Sequence, residues 1–467
     1  MINLVAPLRD GIPTPANGGR CRPTVTPLRS AIPRALCLLL ALSACEGLGR
    51  PIVGTRPLPV PEDTRRCEDT PECVPLRTVD PALFAIPPER LLPPSDGDCD
   101  GDSIPDAMDG CLGVPNEPGD VQECDEAQAS CERLQDGAID FEGADLRGCR
   151  IEAPIQLAPG FSLRGADLTC ASLTFVEPSA QERYTIDVSA AALSGASLAF
   201  EAPLTALIVD LERSELSGTL VRTAGGVRLR AREATLASTT LALAPSEGAP
   251  DPSPALAIIA SDLEGCAIYE APSAWPARVR IERSTVRSTT FDVAALELVG
   301  GRMSASHVSA SELLALNLDL VTSAVNTPYG AFAMCDLNDV IFARCDDLFL
   351  AGGALRSIDI PECQPDRLHV VESVLTDAHL AGGLRLEASR LLSSTLGGGP
   401  TSTVTTAHSE LDAVTICDLG AAAFEGGELT CVKCEEDAFM DGTSVCVSGA
   451  RIIERGCPPI ELAPLCL

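Results

Sequence analysis

Apolar residues recur five positions apart, in groups of three, along most of this chain. The clearest groups are Phe141/Leu146/Ile151, Leu163/Leu168/Leu173, Val188/Leu193/Leu198 and Leu211/Leu216/Val221, then Ala231/Leu236/Leu241, Ile258/Leu263/Ile268, Ile281/Val286/Phe291, Leu298/Met303/Val308 and Ala315/Leu320/Val325. Five more begin at Phe332, Leu350, Val370, Leu386 and Thr406, and a small or apolar residue stands two positions before each member. Fourteen starts between residues 141 and 406 make 13 steps over 265 residues, a mean of about 20, with single steps of 16 to 27. A period of five excludes a helix, which repeats every 3.6 residues, and plain strand alternation, which repeats every two. Stacked coils remain, because one coil cannot bury its apolar residues alone whereas stacking at strand spacing joins them into a column. At about 4.8 Å per coil, fourteen coils make a rod of roughly 65 Å.

The segments Ala144-Asp145-Leu146, Ala166-Asp167-Leu168, Ala171-Ser172-Leu173 and Ala196-Ser197-Leu198 resemble the pentapeptide-repeat family, which sets a small residue two before a central Leu. Later coils relax this to Ser284-Thr285-Val286 and Ser389-Arg390-Leu391. The resemblance implies an all-β chain, a right-handed parallel β-helix with quadrilateral coils, and the repeat places it over residues 132–416. The variable step length leaves a three-sided, pectate-lyase-like coil open. Longer steps carry Pro/Gly insertions, the largest at 244–255, expected as loops on one edge. An open strand edge invites aggregation, so a covering module is expected at the end of the stack. Residues 417–467, with Cys417, Cys431, Cys434, Cys446, Cys457 and Cys466, suit a disulfide-rich cap; a zinc site starting at Cys431 and Cys434 lacks an equally spaced second pair.

Compartment is read from the other end. Ala35–Leu42 is apolar, follows Arg29 and Arg34, and at eight residues suits a signal core but not a bilayer span. Leu42-Ser43-Ala44-Cys45 resembles the bacterial lipobox, which implies removal of residues 1–44, acylation of Cys45 and a lipid anchor in the cell envelope; an ordinary secretory signal is the alternative. Glu46 rather than Asp is compatible with sorting to an outer membrane or the cell surface. The Pro/Gly-rich stretch 1–24 is unusual before such a signal and leaves Val25 open as a translation start. Residues 1–44 hold five Arg and one Asp, so their loss takes the net charge from −32 to −36. Such a field repels nucleic acid and attracts divalent cations. Of 21 cysteines, Cys21 and Cys37 leave and Cys45 is acylated; the remaining 18 read as disulfides in an exported chain.

Residues 45–94 are rich in Pro and Arg without helix or strand period, and are expected to be a tether holding the next module off the membrane. That module, 95–131, contains SDGDCDGDSIPDAMDGC, in which Asp98, Asp100, Asp102, Asp106 and Asp109 fall at positions 1, 3, 5, 9 and 12 of a loop, with the Ile104 carbonyl at position 7. A hard cation such as Ca²⁺ needs six to eight oxygens from a tight loop, and this spacing can supply them. The stretch resembles the thrombospondin type 3 repeat, which implies one calcium ion on these residues. It departs from that family in having Ser103 at the turn Gly and in occurring once; a solvated acidic linker is the competing reading.

Cys149 and Cys170, eight and seven residues into adjacent coils, are expected to pair, as are Cys345 and Cys363 around the coil starting at Leu350. Cys266 and Cys335 stand two before Ile268 and Leu337, an inward position, and are expected to stay free. Glu212-Arg213 and Arg232-Glu233 occupy the same outward positions of neighbouring coils, so opposite charges stack. His307, His369, His379 and His408 read as outward surface residues, and no phosphate loop, nucleophile elbow or HExxH motif occurs. Aromatics are 3% and Trp275 is the only tryptophan, a poor sugar platform. These features point to a non-catalytic, membrane-anchored, calcium-binding solenoid scaffold for adhesion or envelope interaction, its partners an envelope polysaccharide or surface proteins and not nucleic acid. The alternative is a carbohydrate-active β-helix lyase or hydrolase. Asp100→Ala with Asp102→Ala should abolish a calcium-dependent rise in melting temperature; a rise that survives in this variant rules out the cage.

Overall fold

The computed structural model divides into two units, Met1–Thr64 and Arg65–Leu467. It describes residues 71–73, 75–92, 99, 125–177, 184–245, 254–271, 276–344, 346–397, 399–417, 419–430, 432–434, 439–448 and 451–452, all in the second unit. Cys45 and the Asp98, Asp100, Asp102, Ile104, Asp106 and Asp109 loop lie outside these residues, as does Cys345.

The period of five builds a parallel β-solenoid. Pairing of Asp140 with Ser162, Ser162 with Asp187, Asp187 with Asp210 and Asp210 with Arg230 puts the starts Phe141, Leu163, Val188, Leu211 and Ala231 in one column. Ala231, Ile258, Ile281, Leu298, Ala315, Phe332, Leu350, Val370, Leu386 and Thr406 are then direct ladder neighbours in that order. The core is this column with its two partners at five-residue offsets, and Leu146, Leu168, Leu193, Ile258, Phe291 and Val370 are fully buried.

The expected C-terminal end needs correction. Thr406 pairs with Phe424 and Phe424 with Val447, Leu411 with Leu429, and Ile416 with Cys434, so the stack runs on through residues assigned to a cap. The signal was present, since Phe424, Leu429 and Cys434 are again five apart, but the cysteines there suggested a separate module. The number of turns therefore differs from fourteen. The cap that is seen closes the other end. Helix Asp125–Gln135 buries Ala127 and Leu134, sets the Arg133 guanidinium 5.4 Å over the Phe141 ring, and is bonded through Cys131 to Cys149. Asp125 and Glu126 in its first turn and Arg133 in its last complement the helix dipole.

Each coil turns at single residues with positive φ, two and seven positions after its start, as at Arg213 and Gly218, Ala260 and Gly265, Arg283 and Ser288, and Ala388 and Ser393. For a residue other than Gly this conformation costs about 1–2 kcal/mol. It is offset because the corner N–H continues the ladder: Arg213 donates to the Arg232 carbonyl (2.8 Å), Ser238 to Glu264 (2.8 Å) and Ser288 to Ser304 (3.0 Å). The next residue turns inward, which is why it is small, and where it is Ser or Thr it is also a hydrogen-bonding post. The Ser306 hydroxyl donates to the Ser304 carbonyl (2.8 Å) and accepts from Thr289 N–H (3.2 Å), and Ser306 N–H in turn donates to the Ser323 hydroxyl (3.2 Å). Ser261, Ser284, Ser373 and Ser389 do the same work at the other corner.

Cys266 and Cys335 occupy these posts. Both are free and buried; the Cys266 thiol lies 3.3 Å from the Leu236 carbonyl and the Cys335 thiol 3.3 Å from that of Ala333. Burial pushes both thiols up, Cys335 to about 11. A thiol reagent should label neither until the rod unfolds, and fast labelling would break the assigned register. Cys335→Ser should be near neutral, Cys335→Ala should cost about 1 kcal/mol for the lost post, and Cys335→Leu roughly 1–3 kcal/mol for overpacking, as read from thermal melts.

Candidate docking face and its strap

Alternation places the residue before the third member of each triplet on the outside. Yet Leu220, Thr240, Ala267, Ala324, Asp359, Thr395 and Thr415 in this column are all buried. Their cover is the Pro-rich segment 71–92, which lies along the rod as a strap. Cys73 is bonded to Cys417 and the Thr415 hydroxyl donates to the Pro71 carbonyl. Arg77 reaches Asp359, Asp339 (2.5 Å) and the corner carbonyl of Ser357 (2.7 Å). The 3-10 turn Pro81–Phe84 buries Phe84 edge-on to His307, with ring centroids 6.2 Å apart. In the second turn, Pro88–Leu91, Arg90 donates to the Gly265 carbonyl (2.6 Å) and the Leu91 carbonyl accepts from Arg222 (2.7 Å); further along, Cys99 is bonded to Cys170.

The strap therefore runs antiparallel to the stack and is stapled at both ends, which corrects the reading of all of 45–94 as a tether. Proline explains both the misreading and the structure. A segment without regular period looks like a linker, but Pro favours an extended rise of about 3.1 Å, so the 26 residues from 73 to 99 reach roughly 80 Å. The column from Leu163 through Val188, Leu211, Ala231, Ile258, Ile281, Leu298, Ala315, Phe332, Leu350, Val370 and Leu386 to Thr406 is twelve steps of about 4.8 Å, roughly 58 Å. Proline cannot donate to a ladder, so guanidinium groups on corner carbonyls do the docking.

The strap also decides the cysteine pairing. Cys149 and Cys170 both form disulfides, but not with each other: Cys149 bonds Cys131 of the cap helix and Cys170 bonds Cys99. The two lie one position out of phase in their coils. Cys149 is at an inward post and Cys170 on an outward corner, where its counterpart in the previous coil is Gly148, so their side chains diverge. Cys363 pairs with Gly382 through the ladder, and its expected bond to Cys345 lies outside the described residues. Of the histidines, His307 is covered by Phe84, and burial pushes its imidazole down; His379 Nδ1 lies 2.8 Å from Asp359 Oδ1. Neither is the plain surface residue expected. Among the described residues no cluster of His, Cys, Asp or Glu is arranged to hold a metal.

Asp359 is the central group of the seam. Burial raises its carboxyl, but hydrogen bonds and charge from His379 and Arg77 outweigh this and hold it below the usual carboxylate value. Elsewhere, burial pushes up Glu270 and Asp292 on neighbouring coils. Glu270 accepts from Ala277 N–H (2.8 Å) and Ala294 N–H (2.7 Å), which makes it the clamp of a loop return.

The open face flanks the first triplet position. Near the start of the rod it is ionic, with charges paired between coils: Arg213 with Glu233 (3.3 Å), Arg232 with Glu212 (3.9 Å), Arg230 with Asp210 (3.9 Å) and Arg280 with Glu297 (3.3 Å). Over the next five coils the same outward positions are mostly apolar, with Glu297 in the first of these coils and His369 in the last. Val299, Leu316, Ala333, Ala351 and Val371 form one outward column and Leu314, Ala331 and Phe349 the other, with Ala331 buried and the rest partly exposed. Met334 is 63% and Tyr329 47% exposed beside them. Charge returns at Arg385 and Glu387. Sequence reasoning missed this panel because its outward apolar residues alternate with inward ones and merge into one apolar run.

No family model matches the chain, and no curated protein matches it. Among solved structures it is similar to tailspike protein 3 of bacteriophage CBA120, at 10% identity and a TM-score of 0.24, covering 73% of this chain and 60% of the tailspike. It is also similar to the A-module of the mannuronan C-5 epimerase AlgE6 of Azotobacter vinelandii, at 10% identity and a TM-score of 0.21, over 62% of this chain and 91% of that one. A third is HetL, a pentapeptide repeat protein from the cyanobacterium Nostoc sp. strain PCC 7120, at 15% identity and a TM-score of 0.12, over 61% and 89%.

The clasp predicts a pH dependence. Asp359 binds its proton less readily in the folded than in the unfolded chain, so its stabilisation is present above about pH 4 and lost as pH falls through the depressed folded value. Asp359→Asn should flatten the acid limb of melting temperature against pH, and an unchanged limb would remove the clasp from the account.

Proposed function

We propose that this chain is a non-catalytic scaffold of the cell envelope, lipid-anchored through Cys45, that displays a strapped β-solenoid and docks a protein partner on its apolar panel. The observation that carries this reading is the change of character on one face: positions ionic in the coils of Asp210 to Glu297 become mostly apolar from Val299 to Val371, with His369 among them, and ionic again at Arg385. A contiguous apolar patch rimmed by charge marks an interaction surface. Its chemistry favours a protein over a polysaccharide, since the panel offers few hydrogen-bonding groups and two large aromatic side chains, Phe349 and Tyr329. The net charge of −36 after removal of residues 1–44, which hold five Arg and one Asp, disfavours nucleic acid. In this reading the Asp98–Asp109 loop, which contains Cys99, binds one calcium ion.

The scaffold role is supported further by how the face charges are used. Among the described residues, Arg and acidic side chains on this face meet in pairs within and between coils, as Arg213 with Glu212 and Glu233 and Arg280 with Glu282 and Glu297, a use in stacking. Two measurements test the reading. Metabolic labelling with a radioactive fatty acid should mark the wild type and not Cys45→Ser, which should move to the soluble fraction. Leu314→Asp with Leu316→Asp should leave the unfolding free energy within about 1 kcal/mol of wild type while abolishing retention of envelope proteins on the immobilised rod; equal retention would reject the panel as the docking face.

A further inference from the structure

Resting on the reading of the chain as exported, we propose that it is a substrate of a thiol–disulfide isomerase, which moves early disulfides among its N-terminal cysteines to the long-range bonds that staple the strap. The described disulfides are nested: Cys73–Cys417 encloses Cys99–Cys170, which encloses Cys131–Cys149, with sequence separations of 344, 71 and 18. The chain enters an oxidising compartment N-terminus first, and six cysteines, Cys67, Cys73, Cys99, Cys111, Cys124 and Cys131, arrive within 65 residues. At synthesis rates of 5–20 residues per second, roughly 20–70 s separate Cys73 from Cys417. Loop entropy acts in the same direction, since closing the 26 residues from Cys73 to Cys99 is favoured about 50-fold over closing 344.

Order of arrival therefore gives the strap cysteines wrong partners. A Cys73–Cys99 bond holds the two Cα atoms within about 7 Å, whereas their native partners lie on coils twelve steps, roughly 58 Å, apart. A strap closed on itself cannot dock, so folding does not correct the error and chemistry has to. The exchange is redox-neutral. The isomerase thiolate attacks the Cys73 sulfur, forming a mixed disulfide and releasing Cys99 as a thiolate, which takes up a proton. The Cys417 thiol gives up its proton and attacks Cys73 in turn, so that Cys73–Cys417 forms and the isomerase thiolate leaves. One disulfide has replaced another, and Cys99 then joins Cys170 with loss of two electrons to a dithiol oxidase of the same compartment. Docking selects this product: Arg77 on Asp359, Asp339 and the Ser357 carbonyl, and Phe84 on His307, set the strap with Cys73 at Cys417 before that bond exists. Cys131 and Cys149 are consecutive cysteines of the chain and pair without rearrangement.

The test is a pulse-chase of the full chain in a bacterial host, with thiols trapped by alkylation at intervals and disulfides mapped on unreduced peptides. Early in the chase Cys73 should be linked within residues 67–131, and the link should later pass to Cys417. In a host lacking its envelope disulfide isomerase, Cys73–Cys417 should fall about tenfold while Cys131–Cys149 forms as before. Arg77→Ala with Phe84→Ala should delay the passage to Cys417 about tenfold and leave the early links unchanged. Cys73 staying reduced until it bonds Cys417, equal formation of Cys73–Cys417 without the isomerase, or no delay in the double variant would overturn the proposal. Cysteines reduced throughout the chase would overturn the export reading along with it.

Discussion

Everything in this protein depends on the continuous backbone ladder from coil to coil. Each coil is stable only because its neighbour supplies donors and acceptors at the same height, and this holds at the corners as well as along the sides. Non-glycine residues such as Arg213, Arg283 and Ala388 sit at positive φ, a conformation that would be costly in isolation. The ladder repays that cost through the corner N–H, and the hydroxyl or thiol of the next residue ties the corner to the adjacent coil. A buried column of Ser, Thr and Cys is thus part of the same network as the backbone, not a polar defect in an apolar core.

A stack of this kind has two weaknesses, its open ends and its tolerance of fraying from them. The cap helix covers the first coil. The strap acts along the length of the rod: stapled through Cys99 to Cys170 at one end and through Cys73 to Cys417 at the other, it spans coils that would otherwise be coupled only to their nearest neighbours. A disulfide closing so long a loop contributes about 2–5 kcal/mol, largely by restricting the unfolded chain. Asp359, held by Arg77 of the strap and His379 of the next coil, adds a polar contact in the interior of that seam.

With one side of the coil covered by the strap, the first-triplet face stays open. Its ionic stretches are self-satisfied, coil against coil, and contribute mainly to stacking. The apolar panel between them has no such internal use, since its outward side chains add nothing to the buried column on the other side of the sheet.

The sequence by itself determined the solenoid and its register. Phe141, Ile258, Leu350 and Thr406 are column neighbours as the five-residue period required, because burial on one side of a strand leaves no freedom to slip by a residue. It also determined that Cys266 and Cys335 face inward and stay free, since a small residue two before a core position can point nowhere else, and that Glu212 and Arg213 stack on Arg232 and Glu233. Tertiary structure alone decided what is long-range and aperiodic. The strap leaves no period to read because proline docks by side chains and extended backbone, and the partners of Cys149 and Cys170 followed from the strap and the cap helix rather than from coil spacing. The panel could be recognised only after the fold had separated outward Leu314, Leu316 and Phe349 from inward Leu313, Ala315 and Leu350, because in the linear chain both sets are simply hydrophobic.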